Sequence, residues 1–329
     1  MLYGTEFLAR LEAGLRSRLA AWGIPGTAQV RLLTISENAT YLVEAPSGQK
    51  RVFRVHRPGY HSREQILSEL AWIEGLRREQ VIDTPAPVPA LDGSLLQPFR
   101  DGEDDRFVAC FEFVAGSAPD ESGDMPKWFR VLGAITAKMH GHARHFVVPE
   151  GFERKRWDWR TIIGPDAYWG DWRRARGLDA EGRALLETLS ERLRARTEAF
   201  GDGPDRFGLV HCDMRAANLL IAGDRLFVID FDDCGFSWFG YDFAASTSFI
   251  EDSPEFPELM RAWIAGYHSV APLPPETEAM LPVFVMLRRL QLTAWLASHA
   301  ETPTAQALPD FTAGTLALAR AFLQAEAAK

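Results

Sequence analysis

The chain has 329 residues, of which 47% are hydrophobic and 25% charged, a composition typical of a folded protein rather than a disordered or collagen-like one. Its formal net charge of −9 argues against a nucleic-acid-binding protein, because neutralising phosphates requires a basic surface. Its three cysteines show no C-x-x-C spacing, which excludes a zinc ribbon built from them alone and fits a reducing compartment.

The most apolar segments do not have the pattern of membrane anchors. Residues 1–21 carry charged side chains throughout and are predicted to form an amphipathic helix rather than a signal peptide. Residues 281–300 are the most apolar late stretch of the chain but are interrupted by Arg288 and Arg289, and these charges favour a buried core helix over a membrane span. We therefore expect a cytoplasmic protein without a membrane partner.

The first third of the chain has the pattern of a β-sheet. A helix is predicted over residues 62–78, with Ser62 as its N-cap and an apolar face that includes Ile66 and Leu70. The proline-rich residues 84–89 must be extended. Five runs rich in apolar residues, separated by turns, are predicted to be strands: residues 28–33, 39–44, 51–55, 94–99 and 107–114.

Helical patterns dominate after Gly116. Residues 128–145 and 180–200 are predicted to be helices, a strand pair is predicted over residues 219–230, and most of the remainder is helical. A sheet-rich first part is thus joined to a helix-rich second part near residue 115. This pattern predicts a two-lobed α+β protein, in which the cleft between the lobes is the expected ligand site.

A hairpin is expected to bring two oxygen ligands together. The dipeptide Gly223-Asp224 is a plausible two-residue turn between two apolar strands. The register of this hairpin is expected to place Asn218 beside Asp230. Because Mg²⁺ takes oxygen ligands and usually one or two carboxylates, we predict that these two residues bind the metal.

Asp213 lies five residues before Asn218, on a loop that must return to the hairpin. It is therefore expected near the metal without being its ligand, as a base that accepts the proton of an attacking hydroxyl would be. Taken alone, the same spacing also fits a surface aspartate followed by a capping asparagine.

The pattern His211-x-Asp213-x-x-x-x-Asn218, followed by an apolar hairpin ending in Ile229-Asp230, resembles that of the aminoglycoside phosphotransferase-like kinases. The resemblance implies a protein-kinase-like fold with an antiparallel-sheet nucleotide-binding lobe over residues 1–114 and a helical lobe over 115–329. It also implies that Asp213 is catalytic and that Asn218 and Asp230 hold Mg²⁺. Within the superfamily the chain looks most similar to stress response kinase A and homoserine kinase type II.

Three acidic residues and one arginine near this motif have less specific patterns. Arg215 stands at an offset where the resemblance implies a cation near the transferred phosphate, although a surface arginine is an equally simple interpretation. Asp232 is a possible second metal ligand. Asp233 is expected to be structural, and Asp242 is expected to orient the catalytic loop.

The nucleotide side departs from the family pattern. The resemblance implies a lysine on the third strand paired with a helix glutamate, and here the corresponding residues are Arg54 and Glu69, with Glu64 as the alternative glutamate. Arginine keeps the charge and can bind phosphate through two donors. The loop between the first two strands contains no glycine, and Ser36 and Thr40 are its candidate phosphate contacts.

The end of the last sheet strand resembles the hinge that binds adenine in this superfamily. Glu112 and Val114 are predicted to contact adenine through their main-chain groups only. An ordinary edge strand followed by a turn is the alternative interpretation.

Two other clusters have simpler interpretations than a ligand site. His140, His142 and His145 do not share one helical face, so a metal site is disfavoured and His140 is expected to be structural. The tryptophans and arginines between residues 154 and 176 could form a nucleic-acid stacking surface, but the overall acidity favours a packing cluster or a substrate-side insertion. Its candidate substrate contacts are Asp158, Asp166 and Asp171.

We therefore predict a kinase that uses ATP and Mg²⁺ and transfers the γ-phosphate to a hydroxyl of a small molecule. The alternatives are a protein Ser/Thr kinase resembling stress response kinase A and a non-catalytic nucleotide-binding regulator. The short segment between Asp230 and Gly240 leaves little room for an activation loop, which counts against the protein kinase. These patterns leave open the acceptor, the choice between ATP and GTP, and the oligomeric state.

Overall fold

The computed structural model describes residues 4–35, 38–119 and 123–328. The chain divides into two compact units, each built from three segments. The first unit comprises Met1–Ser117, Val147–Arg154 and Ala222–Asp232. The second unit comprises Ala118–Phe146, Lys155–Ile221 and Asp233–Lys329.

The first unit is organised around a five-stranded antiparallel sheet with the strand order β1-β2-β3-β5-β4. Because most neighbours in this sheet are antiparallel and close in sequence, short turns are enough to connect them. Its elements are α1 (Thr5–Arg16), β1 (Gln29–Ile35), β2 (Ala39–Glu44), β3 (Lys50–Val55), α2 (Arg63–Arg78), β4 (Leu96–Asp101) and β5 (Asp104–Glu112). The five predicted strands and the predicted helix are all present, with ends shifted by up to three residues.

Helix α1 covers one face of this sheet. Its side chains Leu11 and Leu15 are buried in the same hydrophobic cluster as Tyr41 and Phe53 of the central strands. Gly14 permits close contact with β4, because a Cβ atom there would lie 2.1 Å from the ring of Phe99. The predicted amphipathic helix is thus part of the first core.

Helix α2 begins with the predicted cap. The Ser62 hydroxyl accepts from the Gln65 backbone amide, and the Gln65 side chain accepts in return from the Ser62 amide, which forms a capping box. The extended proline-rich segment lies along β5, where Glu112 donates its amide to Ala86 and Val88 donates to Cys110.

The rest of the chain is mostly helical, which confirms the predicted α+β class with a sheet-rich start and a helical remainder. Strand β6 pairs with β9, and β7 pairs with β8 at the predicted hairpin. The elements are α3 (Met125–Ala143), α4 (Trp159–Ile162), α5 (Ala180–Phe200), β6 (Phe207–Val210), β7 (Leu219–Ala222), β8 (Arg225–Val228), β9 (Gly235–Trp238), α6 (Tyr241–Ser246), α7 (Phe256–His268), α8 (Pro275–Ser298), α9 (Pro303–Ala307) and α10 (Phe311–Ala327).

Helix α8 is the central helix of the second unit. By length and composition it is apolar enough to cross a membrane, but 83% of its most apolar window is buried within the protein. Helices α6, α5 and α10 all pack against it. The predicted core helix is therefore confirmed, and its two arginines, Arg288 and Arg289, are each only 1% exposed.

Candidate active site

The loop after β6 carries Asp213 and is fixed by a buried aspartate of α6. The Asp242 carboxylate accepts from the backbone amides of His211 at 3.2 Å and Cys212 at 2.8 Å. The Asp213 amide then donates to Nδ1 of His211 at 3.2 Å. The predicted orienting role of Asp242 agrees with these contacts, and the backbone leading to Asp213 is held at three consecutive amides.

Cys212 has a left-handed backbone conformation, with φ of +67°. A non-glycine residue in this region costs on the order of 1–3 kcal/mol and persists only where surrounding contacts impose it. The bonds from Asp242 to the amides of His211 and Cys212 supply part of that constraint. The strain therefore lies immediately before the predicted catalytic carboxylate.

Three side chains of the described residues donate to the Asp213 carboxylate. Asn218 Nδ2 lies 2.7 Å from Oδ2 and also donates to the Asp213 carbonyl at 2.8 Å. Arg215 Nε lies 3.3 Å from the same Oδ2. Arg288 Nη2 lies 2.5 Å from Oδ1. The structure thus brings Asp213, Asn218 and Arg215 together within the second unit, and adds Arg288.

Arg288 is a functional candidate that the sequence motif did not reveal. A charged residue inside an otherwise apolar helix must find a partner when it is buried, which was the available signal. Burial opposes the charge of Arg288, but Tyr241 and Asp213 outweigh it and raise the pKa of the guanidinium above its usual value. The buried cation is therefore retained beside the Asp213 carboxylate.

His140 is buried beside Asp242 and Tyr267. Its Nε2 lies 3.1 Å from Asp242 Oδ2, and its Nδ1 lies 3.1 Å from the Tyr267 hydroxyl. Burial lowers the pKa of His140 although the hydrogen bond to Asp242 opposes this shift. The expected structural role of His140 agrees with this geometry.

In the first unit, Arg54 of β3 is paired with Glu69 of α2. Arg54 Nη2 lies 2.6 Å from Glu69 Oε1, and both side chains are almost fully buried. Arg54 Nη1 lies 3.2 Å from Asp230 Oδ1, and its guanidinium lies 5.2 Å from the ring centre of Phe111. The alternative partner, Glu64, is exposed at the start of α2.

Electrostatics keep this arginine charged. Burial opposes the charge of Arg54, but Glu69, Asp232 and Asp230 outweigh it and raise the pKa of the guanidinium above its usual value. Burial also raises the pKa of Glu69, and Arg54 acts against that rise. A cation is thus fixed beside Asp230 by a buried carboxylate.

Asp230 and Asp232 have different surroundings. The Asp230 side chain is 47% exposed, whereas that of Asp232 is 7% exposed and lies 3.7 Å from His56 Nδ1 and 3.5 Å from His61 Nε2. Arg154 also donates to the Asp232 carbonyl. Burial opposes the charge of Asp232, but His61 and Arg54 hold its pKa well below its usual range. The Asp230 carboxylate is therefore the more accessible of the two.

His56 and His61 were not among the predicted site residues. Alternation along a strand puts His56 on the same face as Arg54, and this was the sequence signal for it. Burial and the nearby Arg54 lower the pKa of His56 well below its usual range. The two imidazoles surround the buried carboxylate of Asp232.

Of the remaining nucleotide-side candidates, Thr40 lies in β2 and Glu112 is the last residue of β5. Thr40 is paired with Arg54 across β2 and β3, and Ser36 lies outside the described residues. Because the Glu112 amide already donates to Ala86, the carbonyl is the main-chain group that Glu112 can offer adenine. Val114 follows two residues later, in an irregular segment.

The segment rich in tryptophan and arginine is mainly a packing cluster. Trp157, Trp169 and Trp172 are all buried within the second unit, which disfavours the stacking surface for nucleic acid. The three candidate substrate contacts are paired with neighbouring arginines: Asp158 with Arg156, Asp166 with Arg160, and Asp171 with Arg173.

A family model described as "Phosphotransferase enzyme family" matches residues 30–280 of the chain. Among solved structures, a microcompartment-associated aminopropanol kinase is 42% identical, with a TM-score of 0.88 and coverage of 94% of this chain and 97% of that one.

Two further comparisons are more distant. The structure of an amicoumacin kinase in complex with AMP-PNP, Ca²⁺ and Ami has a TM-score of 0.79 at 22% identity, covering 95% of this chain and 96% of that one, which indicates a shared fold. The homoserine kinase of Methylobacillus glycogenes is 28% identical over 240 residues, covering 72% of this chain and 69% of that protein.

Proposed function

The chain belongs to the phosphotransferase enzyme family and is a small-molecule kinase with a hydroxyl group as acceptor, and we propose that it transfers the γ-phosphate of Mg²⁺-bound ATP to a small amino alcohol. The observation that carries the choice of acceptor is the 42% identity to an aminopropanol kinase over 94% of the chain. Residues 1–114 serve as the nucleotide-binding lobe and residues 115–329 as the acceptor lobe in this proposal.

Asp213 is proposed to accept the proton of the attacking hydroxyl. A carboxylate has about four acceptor positions, and the described donors to Asp213 side-chain oxygens are Arg288, Asn218 and Arg215. Oδ1 accepts one hydrogen bond from Arg288 and thus retains one acceptor position for the hydroxyl of an alcohol. General-base assistance of this kind contributes typically about 10²–10⁴-fold to a rate.

The oxygen ligands of the chain fit a hard divalent ion. The Nδ2 atom of Asn218 donates to Asp213, so the side-chain oxygen Oδ1 is the atom that Asn218 can offer a metal. Asp230 contributes an accessible carboxylate, whereas the Asp232 carboxylate is buried beside His56. We propose Asn218 and Asp230 as the main ligands of Mg²⁺, with Asp232 as the weaker candidate. When bound, the ion would neutralise charge on the β- and γ-phosphates.

Arg54 is proposed to bind the α- and β-phosphates in place of the usual lysine. Its guanidinium is fixed by Glu69 and remains charged, which matches the role of the strand cation in this mechanism. Ser36 and Thr40 are the proposed loop contacts to phosphate. Glu112, through its carbonyl, and Val114, through its amide, are the proposed adenine contacts, and Arg215 is proposed to stabilise charge on the transferred phosphate.

The proposal is tested by measuring acceptor-dependent ATP consumption with aminopropanol, ethanolamine, homoserine and propanediol, and by identifying each product by mass spectrometry. Propanediol is the matched control, because it replaces the amine of aminopropanol with a second hydroxyl. We expect phosphorylated aminopropanol as the main product and little turnover of propanediol. Equal turnover of both would refute the amino alcohol, and phosphate transfer only to added proteins would refute a small-molecule acceptor. Replacing ATP by GTP in the same assay measures the nucleotide preference.

A further inference from the structure

Arg288 binds two consecutive residues of the catalytic loop. Its Nη2 atom donates to Asp213 Oδ1 at 2.5 Å, and its Nη1 atom donates to the Cys212 carbonyl at 3.3 Å. One guanidinium thus contacts both the carboxylate that is proposed to accept the proton and the carbonyl of the left-handed residue before it. Because the guanidinium is planar, fixing one of these contacts also fixes the direction of the other.

The same loop is also held by Asp242, which accepts from the amides of His211 and Cys212. Asp242 therefore binds the N–H groups of the loop and Arg288 binds a C=O group and a side chain. Cys212, the left-handed residue, therefore has its N–H group bound to Asp242 and its C=O group bound to Arg288. Strained residues of this kind persist where the surrounding contacts over-determine them.

The guanidinium is itself held in a single position. Its Nε atom donates to the Ser248 hydroxyl at 2.9 Å, and Nη1 donates to Gln291 Oε1 at 3.1 Å. Tyr241 also donates its hydroxyl to Gln291, which orients the amide oxygen. Trp169 covers the cation with its ring, whose centre lies 4.8 Å from the guanidinium carbon. These contacts come from four residues of the second unit.

We propose that Arg288 is a positioning residue that sets the direction of the Asp213 carboxylate toward the acceptor hydroxyl, acting through Asp213 rather than by contact with nucleotide or acceptor. This inference rests on the proposed role of Asp213 as the catalytic carboxylate. The burial of Arg288 at 1% exposure supports it, because so enclosed a side chain reaches the reaction through its protein partners.

The neighbouring Arg289 supplies a matched control. It is also 1% exposed, and it donates to Glu251 at 2.7 Å, to the Thr315 hydroxyl at 2.9 Å and to the Phe311 carbonyl at 3.2 Å. Its described hydrogen bonds do not include the catalytic loop. Arg289→Lys therefore removes a buried guanidinium from α8, as Arg288→Lys does, without changing the described contacts of Asp213.

The experiment compares Arg288→Met, Arg288→Lys and Arg289→Lys with the wild-type protein. For Arg288→Met we expect kcat to fall by about 100-fold, the effect of misplacing a catalytic group, while KM for the nucleotide changes by less than about threefold. Arg288→Lys should recover part of the loss, because an ammonium can reach Asp213 but cannot hold Cys212 and Ser248 at the same time. Arg289→Lys should keep kcat within about threefold of the wild type.

Amide hydrogen exchange of residues 211–218 provides a readout that does not depend on the acceptor. It should become at least about tenfold faster in Arg288→Met than in Arg289→Lys. Similar kcat losses in Arg288→Met and Arg289→Lys, or unchanged exchange in Arg288→Met, would overturn the positioning role. If the wild-type protein phosphorylates none of the acceptors, the proposed function fails, and the exchange rates together with the slow transfer of phosphate from ATP to water still decide the role of Arg288.

Discussion

The Asn218 side chain lies 2.7 Å from Asp213 Oδ2 and 2.8 Å from the Asp213 carbonyl, and it is the donor in both contacts. Nδ2 is therefore committed to Asp213, and Oδ1 is the atom that Asn218 can offer a metal. A single side-chain rotamer of Asn218 thus serves both proposed roles, as a donor to Asp213 and as a ligand of the metal. It also separates two substitutions that would otherwise be expected to behave alike.

Replacing Asn218 by aspartate should lower activity more than replacing it by alanine. Aspartate keeps an oxygen for the metal, but it removes the donor and places a second carboxylate against Asp213, and like charges at this distance repel each other. We expect kcat to fall by about 100-fold in Asn218→Asp and by a smaller factor in Asn218→Ala. Steady-state kinetics at several Mg²⁺ concentrations measure both effects. The reverse order of the two variants would contradict the donor role.

Arg54→Met should weaken nucleotide binding and also destabilise the first unit. Removing one partner of a buried ion pair leaves the other uncompensated and costs about 3–5 kcal/mol. We expect KM for ATP to rise by at least about tenfold, since a phosphate contact of this kind is worth about 1.5–3 kcal/mol. Arg51→Met on the same strand is the control, because Arg51 donates to the Lys50 carbonyl rather than to a buried acid. Equal KM values in the two variants would argue against the phosphate role of Arg54.

Helices α3 and α7 pack so closely that glycine is required at their contact. A Cβ atom at Gly266 would lie 1.9 Å from the Arg130 carbonyl oxygen, and one at Gly133 would lie 2.0 Å from the Trp263 carbonyl oxygen. Gly266→Ala should therefore destabilise the protein by about 2–3 kcal/mol. Gly141→Ala is the control within α3, because it meets no atom within 4 Å and should stabilise the helix by about 0.5–1 kcal/mol. Chemical denaturation should show a lower free energy of unfolding for Gly266→Ala and a higher one for Gly141→Ala than for the wild type.

The lowered pKa of His140 predicts a loss of stability in mild acid. Its pKa in the folded protein lies below the ordinary value of about 6.5. Between these two pKa values the imidazole is protonated in the unfolded chain and neutral in the folded protein. Stability is therefore full above about pH 6.5 and falls as the pH drops toward the folded pKa, by at most about 1.4 kcal/mol per pH unit. Asp242 and Arg144 both act on this imidazole.

His140→Gln should remove this contribution and flatten the pH dependence. His56 shifts in the same direction, but it is present in both proteins and cancels in the comparison. Thermal unfolding between pH 7 and pH 5 should show a smaller drop in Tm for His140→Gln than for the wild type. Parallel curves for the two proteins would show that His140 does not titrate on unfolding.

Local patterns in the sequence predicted the parts of the site that depend on neighbouring residues. The Ser62 cap and the apolar face of α2 place Glu69 on the buried side of that helix, and strand alternation directs Arg54 inward. Their pairing then follows, because a buried charge requires a partner. The spacing from Asp213 to Asn218 works in the same way, because five residues of loop allow the side chains to meet.

The contact of Arg288 with Asp213 could not be predicted in this way. The two residues are 75 positions apart, and their meeting depends on how α8 packs beside the catalytic loop. Arg288 and Arg289 are indistinguishable in the sequence, yet one reaches Asp213 and the other reaches Glu251. The rotation of α8 about its axis decides between them, and that rotation is set by tertiary packing. The predicted position of Asn218 beside Asp230 stays a prediction.

The proposed role of Asp213 is tested by following labelled γ-phosphate from ATP to aminopropanol in the wild-type protein and in Asp213→Asn. Asparagine has nearly the same shape as aspartate and cannot accept the hydroxyl proton, so nucleotide binding should be kept while transfer slows by about 10²–10⁴-fold. Thermal unfolding checks that the variant is folded. Label transfer by Asp213→Asn at the wild-type rate would show that Asp213 does not accept the hydroxyl proton.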